Sequence, residues 1–236
     1  MIDQSITPRT LSPEQAAEVQ RAFILKVYGW MTAGLFLTAI ASFMTLSSQT
    51  MLEFLFSSRF TFIVLLFAEL GLVIWLTARV QAMSAATATI VFCAYSALTG
   101  VTLSAVFLVY TTESLLSTFV ATGATFGVTA AYGYMTQRDL SGLGGFMTMG
   151  LIGVVIASIV NIFLHNETIY WITTYAGILI FVGLTAYDMQ KLKGMSVVAL
   201  EGGEAEQKAS IIGALALYLD FINLFLLLLR LMGRRR

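Results

Sequence analysis

The sequence predicts an all-α membrane protein with seven transmembrane helices. Three observations carry the seven-helix reading. The 236 residues are 58% hydrophobic and only 11% charged, with a mean hydropathy of +0.86, whereas a soluble domain runs at about 45–50% apolar and about 25% charged. The apolar residues fall into seven stretches of the length a bilayer demands, about 20 residues for a helical span. Those stretches are unbroken, while a closed barrel needs many segments of about 10 residues that alternate apolar and polar. Composition excludes soluble enzyme folds, nucleic-acid binders and disordered chains, and the zero formal net charge gives no reason to invoke nucleic acid as a partner.

The spans are placed at 24–46, 60–78, 86–109, 115–135, 145–165, 169–188 and 211–232. The first follows a tail, 1–23, in which Asp3, Arg9, Glu14, Glu18 and Arg21 argue against a cleavable signal peptide, so this span is expected to remain in the membrane. The second ends at Arg79, the fifth runs up to His165-Asn166-Glu167, and the sixth ends at Asp188. Residues 24–236 read as one domain. Its single long connection, Met189–Ser210, is a linker whose lysines and glutamates cancel and whose Gly202-Gly203 suggests a bend. Gly100, Gly123, Gly127, Gly150, Gly153, Gly177 and Gly183 are expected to let helix backbones approach closely in lipid. The only cysteine is Cys93 and the only prolines are Pro8 and Pro13, so an internal disulfide or a cysteine zinc site is excluded.

Lysine and arginine orient the bundle. With a cytoplasmic N-terminus, that side receives Arg9, Arg21, Lys26, Arg79, Arg138, Lys191, Lys193 and Lys208, and the internal outer loops hold only Arg59. Arg230, Arg234, Arg235 and Arg236 then break the rule, unless the seventh segment enters and returns.

Carboxylates inside apolar spans are costly, by about 2.5–3.5 kcal/mol on insertion scales. Three stand out. Glu69 lies near the middle of the second span, Asp188 ends the sixth, and Asp220 is nine residues into the seventh. Topology brings Asp188, Asp220 and Arg79 to one membrane face; the plainer alternative pairs Asp188 with Lys191 and Asp220 with Asn223 at helical spacing. Two carboxyls in contact would titrate as a unit, and a nearby arginine would pull against that coupling. Asp188 and Asp220 are also hard oxygen ligands that suit a weak, transient calcium site completed by carbonyls or water. His165, the sole histidine, reads as a loop residue, and no Schiff-base lysine is available in the seventh span. Paired aspartates on adjacent helices also occur in presenilin-type intramembrane proteases, but Leu217-Tyr218-Leu219 replaces the glycine motif before the second acid and no proline follows Pro13.

Phe181-Val-Gly-Leu-Thr-Ala-Tyr-Asp188-Met-Gln-Lys-Leu-Lys193 and Leu217-Tyr-Leu-Asp220-Phe-Ile-Asn-Leu-Phe225-Leu-Leu-Leu-Leu-Arg230 resemble the Bax inhibitor family, also called the transmembrane Bax inhibitor motif family. So do Val27-Tyr-Gly-Trp-Met31, Tyr95-Ser-Ala-Leu-Thr-Gly100 and Tyr132-Gly-Tyr-Met-Thr-Gln-Arg-Asp139-Leu-Ser. The likeness covers nearly everything after about residue 20 and points to the bacterial YbhL-type members. It implies a multi-pass protein of the bacterial inner membrane, with the last helix wrapped by the other six. It also implies a pH-sensitive calcium leak in which Asp188 and Asp220 form the sensing dyad, Arg79 latches onto it, and Glu69 is a family acid of the second helix. Calcium is then the transported ion, no cofactor is needed, and acid should open the leak by releasing Arg79. The expected state is a monomer or weak oligomer. Two alternatives stay open: a non-conducting regulator that binds a membrane protease or a stress-response partner, and an intramembrane aspartyl protease.

Overall fold

The computed structural model describes residues 12–56, 58–196 and 202–236, and within them the chain is helical almost throughout. The order is α1 (Pro13–Ser47), a short α2 (Gln49–Phe56), α3 (Arg59–Arg79), a 3-10 turn (Val80–Ala82), α4 (Ala85–Val109), α5 (Thr112–Met135), α6 (Ser141–Leu164), α7 (Glu167–Met195) and α8 (Gly203–Met232). All but α2 and the 3-10 turn are long and apolar enough to cross a membrane. This is an all-α membrane protein.

Local chemistry sets the helix starts. The side chains of Ser12, Ser58, Ser84, Thr111 and Asn166 each accept a backbone N–H from the first turn of the following helix, which satisfies donors a helix leaves free at its N-terminus. At Ser12 the cap is reciprocal, because Gln15 returns a bond to the Ser12 N–H and Pro13 occupies the first helical position. Helix α6 stops at His165, which adopts a left-handed conformation (φ 50°) with its N–H on the Asn161 carbonyl.

Apolar-window reasoning places most boundaries well and misses three. The helix of the expected tail 1–23 starts at Pro13, and Phe23 is fully buried. The Met189–Ser210 linker is helical at both ends, since α7 continues to Met195 and α8 begins at Gly203. Arg9 and Glu201, counted in the tail and the linker, lie outside the described residues. All three extensions are on one face, where charged side chains end the apolar window but not the backbone hydrogen bonding; at 1.5 Å per residue, α1 is roughly 50 Å long and outruns a hydrocarbon core of about 30 Å.

Helix α8 is the centre. It buries thirteen residues, among them the fully enclosed Ile211, Leu217, Tyr218 and Leu224, and packs on α7, α1, α5 and α4. The expectation that six helices wrap it needs correction: α3 packs on α4, and α6 on α7, so these two form an outer layer. Along α6 only Gly144 is buried. Tyr218 anchors the inner layer, edge-on to Phe92 and Tyr95 of α4, with its hydroxyl 2.6 Å from Thr38 Oγ1 of α1.

Close approach falls on only some of the expected glycines. A Cβ on Gly100 would strike the Thr38 carbonyl of α1, and Gly150, Gly177 and Gly183 meet neighbouring side chains, but Gly123, Gly127 and Gly153 face open space. Gly133, Gly144 and Gly213 are further contact points, and a Cβ on Gly133 would run into the backbone of Ala186 on α7. Gly133→Ala is therefore expected to lower stability by about 1–3 kcal/mol through overpacking. Gly153→Ala should leave stability unchanged or slightly raised through helix propensity. Thermal melting in detergent distinguishes the two.

The helices define two faces. The N-side carries the start of α1 and the α3–α4, α5–α6 and α7–α8 connections; the C-side carries the α4–α5 and α6–α7 connections and the C-terminus. The C-terminus is tied there by Arg236 N–H to Val109 O (2.9 Å), Thr111 N–H to Arg234 O (3.1 Å) and Arg234 N–H to Ser114 Oγ (2.9 Å). Helix α8 is one continuous helix and does not re-enter. A reporter after Arg236 is expected on the same side as a cysteine label at Asn166 and opposite one at Gln207, tested in a Cys93→Ala background. Matching sides for Gln207 and the reporter would overturn the topology.

Candidate functional site

The short α7–α8 connection makes these helices antiparallel neighbours and brings Asp188 and Asp220 together inside the bundle. Asp220 is 4% exposed, and its carboxyl interacts electrostatically with that of Asp188, which is half-buried. Asp220 Oδ2 is buried without a hydrogen-bond partner. The Thr185 hydroxyl stands beside this carboxyl but is also 2.7 Å from the Phe181 carbonyl, its acceptor one turn back. Neither plain pairing forms: Asn223 Nδ2 donates to Leu219 O (2.8 Å), and Lys191 acts on Asp188 only through space.

Two other expected members stand apart. Arg79 is exposed at the end of α3 and makes no ion pair among the described residues. It does not latch the dyad here, because α3 lies in the outer layer behind α4. Charge and span order place Arg79 at the right membrane depth; they do not say which helix lies between. Glu69, on the same helix, is half-buried and receives the Thr102 hydroxyl of α4 at 2.5 Å. It belongs to an α3–α4 contact and not to the dyad.

What closes the N-side of the dyad is a layer of apolar side chains with polar ties around it. Met189 and Leu192 of α7, Ile211 and Leu215 of α8 and Phe23 and Val27 of α1 are all buried there. Neither aspartate lines the apolar cavity walled by Thr38, Phe119 and Phe225, the cavity beside Arg230, the one beside Arg21 and Tyr134 or the one beside Glu204 and Lys208. Around this seal the first two turns of α8 are fastened to three other elements. Glu204 Oε1 accepts the Ala85 N–H that starts α4 (2.9 Å), Glu206 pairs with Lys26 of α1 (3.1 Å), and Lys208 Nζ donates to the carbonyls of Met83 (3.1 Å) and Gln81 (3.3 Å). On α7, Lys193 donates to Tyr134 O at 3.1 Å and sits 5.5 Å from that ring's centre. Gln190 accepts the Leu140 N–H and donates to Arg138 O, both at 2.8 Å, which locks the α5–α6 turn to α7 two residues beyond Asp188. In that turn the Ser141 hydroxyl and N–H hold the exposed Asp139 carboxyl below its usual range.

Sequence reasoning missed this clasp. Its charges were read as cancelling within a linker, although Glu204, Glu206 and Lys208 at alternate positions are the pattern of a helix N-terminus with acids in its first turn.

A family profile described as "Inhibitor of apoptosis-promoting Bax1" matches residues 20–236, nearly the whole chain. The chain belongs to the Bax inhibitor family. The Bax inhibitor relatives it resembles include inner membrane protein YbhL of Escherichia coli (strain K12), 50% identical over 230 residues that cover 97% of this chain and 98% of that one. A protein of Rickettsia prowazekii is 42% identical across the full length of both chains, and one of Borreliella burgdorferi is 40% identical over 94% of this chain and 96% of its own. Of the five segments that carry the resemblance, the two with Asp188 and Asp220 lie on α7 and α8, and the one with Arg138-Asp139 is the turn that Gln190 holds against α7.

Proposed function

We propose that this Bax inhibitor protein is a pH-sensitive calcium leak of the bacterial inner membrane, gated by the Asp188–Asp220 pair, with the N-side in the cytoplasm. The observation that carries the reading is the Asp220 carboxyl, sealed in the bundle beside a second acid with one oxygen lacking any partner. A membrane interior tolerates such a group where it serves an ion or proton route. The arrangement described above is the closed state: the apolar layer at Met189, Leu192 and Ile211 blocks water, and calcium would pass only when α7 and α8 separate. Calcium there would use both carboxylates and complete its shell of 6–8 oxygens with water and backbone carbonyls, since no third His, Cys, Asp or Glu joins them among the described residues.

The inner-membrane assignment rests on the seven apolar helices and on the E. coli relative's name. The cytoplasmic N-side rests on its basic residues. Catalysis is not proposed, because an aspartyl protease must bring water and a peptide to both acids, and Asp220 is 4% exposed.

The test is calcium entry into dye-loaded liposomes containing the purified protein. Wild type should exceed empty liposomes, and Asp188→Asn with Asp220→Asn should return entry to background. Arg79→Ala should leave wild-type entry unchanged, since Arg79 does not reach the pair. Background entry for wild type at every pH would leave a non-conducting regulator as the reading.

A further inference from the structure

The C-side face carries a group of arginines that the calcium reading does not use. Arg230, in the last turn of α8, is half-buried and lies 4.8 Å from the centre of the Tyr170 ring. Arg235 reaches the hydroxyl of the same tyrosine at 3.5 Å. Arg234 and Arg236 flank it on a strand-like tail whose backbone is fixed by the three bonds to Val109, Thr111 and Ser114, with Tyr110 and Arg235 forming an antiparallel bridge. The arginines are thus held in place, not scattered on a loose end.

Among the described residues no Asp or Glu forms an ion pair with them, and the only ion pair is Lys26–Glu206, on the opposite face. The acids nearby, Glu113 and Glu167, are exposed in the first turns of α5 and α7, where they favour their own helix N-termini. Beside Arg230 opens a cavity of about 460 Å³, whose walls include Asn161, Asn166, Thr173 and Glu167. Glu167 opposes an anion, and the Thr173 hydroxyl is spent on the Ile169 and Tyr170 carbonyls. The side-chain amide N–H groups of Asn161 and Asn166, whose oxygens accept backbone N–H groups, can donate to an anion.

We propose that this face binds the phosphate of an anionic phospholipid, with Arg230 and Arg235 gripping the headgroup around Tyr170 and Arg234 and Arg236 adding charge at the rim. Helix α8 ends at Met232, level with the starts of α5 and α7 to which its tail and Arg230 are tied, so Arg230 lies at the C-side end of the bundle, on the side of the headgroups. Tyrosine favours headgroup depth, and a guanidinium matches phosphate geometry as an ammonium does not. The same contact accounts for four arginines on the face where the positive-inside rule does not want them: their charge is met by lipid. This inference is independent of the calcium reading.

The experiment uses the full chain in neutral detergent, with native mass spectrometry and thermal melting as readouts. Phosphatidylglycerol, phosphatidylcholine and inorganic phosphate are added separately. Phosphatidylglycerol should bind and raise the melting temperature. Arg230→Gln with Arg235→Gln should weaken that binding by about fivefold per arginine, and the corresponding lysine variants should recover only part of it. Unaltered melting of the glutamine variant without lipid shows that it is folded; if it melts early, Arg234→Gln with Arg236→Gln, whose side chains touch nothing the fold needs, carries the test. Equal binding of phosphatidylcholine, full stabilisation by inorganic phosphate alone, or a dimer that the glutamine variants dissociate would each overturn the proposal.

Discussion

Replacing Asp220 by Asn is expected to flatten the pH profile of the calcium leak and to hold it at the low level the wild type shows in acid. At low pH the Asp188–Asp220 pair carries at most one charge, the α7–α8 contact is kept, and little attracts calcium. As pH rises and the last shared proton leaves, two like charges face each other with no cation within 4.0 Å among the described residues. Two unit charges about 4 Å apart at an effective dielectric of about 20 repel by about 4 kcal/mol, enough to move a two-state equilibrium about a thousandfold. Leak therefore rises with pH. That sign is opposite to the one expected from an Arg79 latch, because the latch needs a countercharge that this packing keeps away. Asn at position 220 removes the repulsion and preserves the shape, so flux should fall at least about tenfold at the upper end of the range. The measurement is flux against pH for wild type, Asp220→Asn and Arg79→Ala in matched liposomes. A wild-type leak that rises in acid and loses that rise in Arg79→Ala would restore the latch; identical wild-type and Asp220→Asn curves would remove the dyad altogether.

Releasing the N-side clasp should open the same gate from outside the membrane. Glu204→Ala, Glu206→Ala and Lys208→Ala together remove a bond to the α4 N-terminus, a partly exposed ion pair and two carbonyl contacts. The ion pair alone is worth at most about 1 kcal/mol at this exposure. With the charged hydrogen bonds the loss is about 2 kcal/mol, or about a thirtyfold shift toward the separated state. The triple variant is expected to leak more at every pH and to expose the α7–α8 connection to protease. A charge swap, Lys26→Glu with Glu206→Lys, should restore the contribution of that pair at low salt. Wild-type leak and protease resistance in the triple variant would show that the apolar layer alone closes the path.

The spans were legible because a bilayer asks one question of every segment, and composition answers it within a few residues except at the three N-side ends, where charged side chains continue the helix beyond the apolar window. The dyad was legible for the same reason: an acid in an apolar span is conspicuous, and a short connection makes its helix antiparallel to the next. The clasp was written in the sequence as well, in the spacing of Glu204, Glu206 and Lys208, and the early start of α1 in the Ser12–Gln15 capping box, but hydropathy discards charged residues as loop.

By itself the sequence determined the number and order of the membrane helices and set Asp188 and Asp220 on antiparallel neighbours toward one membrane face, since these follow from segment length and local connection. That the two acids face each other, and not Lys191 and Asn223, was decided by the packing of α7 on α8. Only the tertiary structure decided that α3 lies behind α4, so that Arg79 and Glu69 miss the dyad, and that Gly133 rather than Gly153 lets two helices touch. It alone ties the terminal arginines to the C-side face. Which helix neighbours which is set by side-chain fit among seven similarly apolar surfaces, and in lipid no difference in hydrophobicity marks one such surface from another.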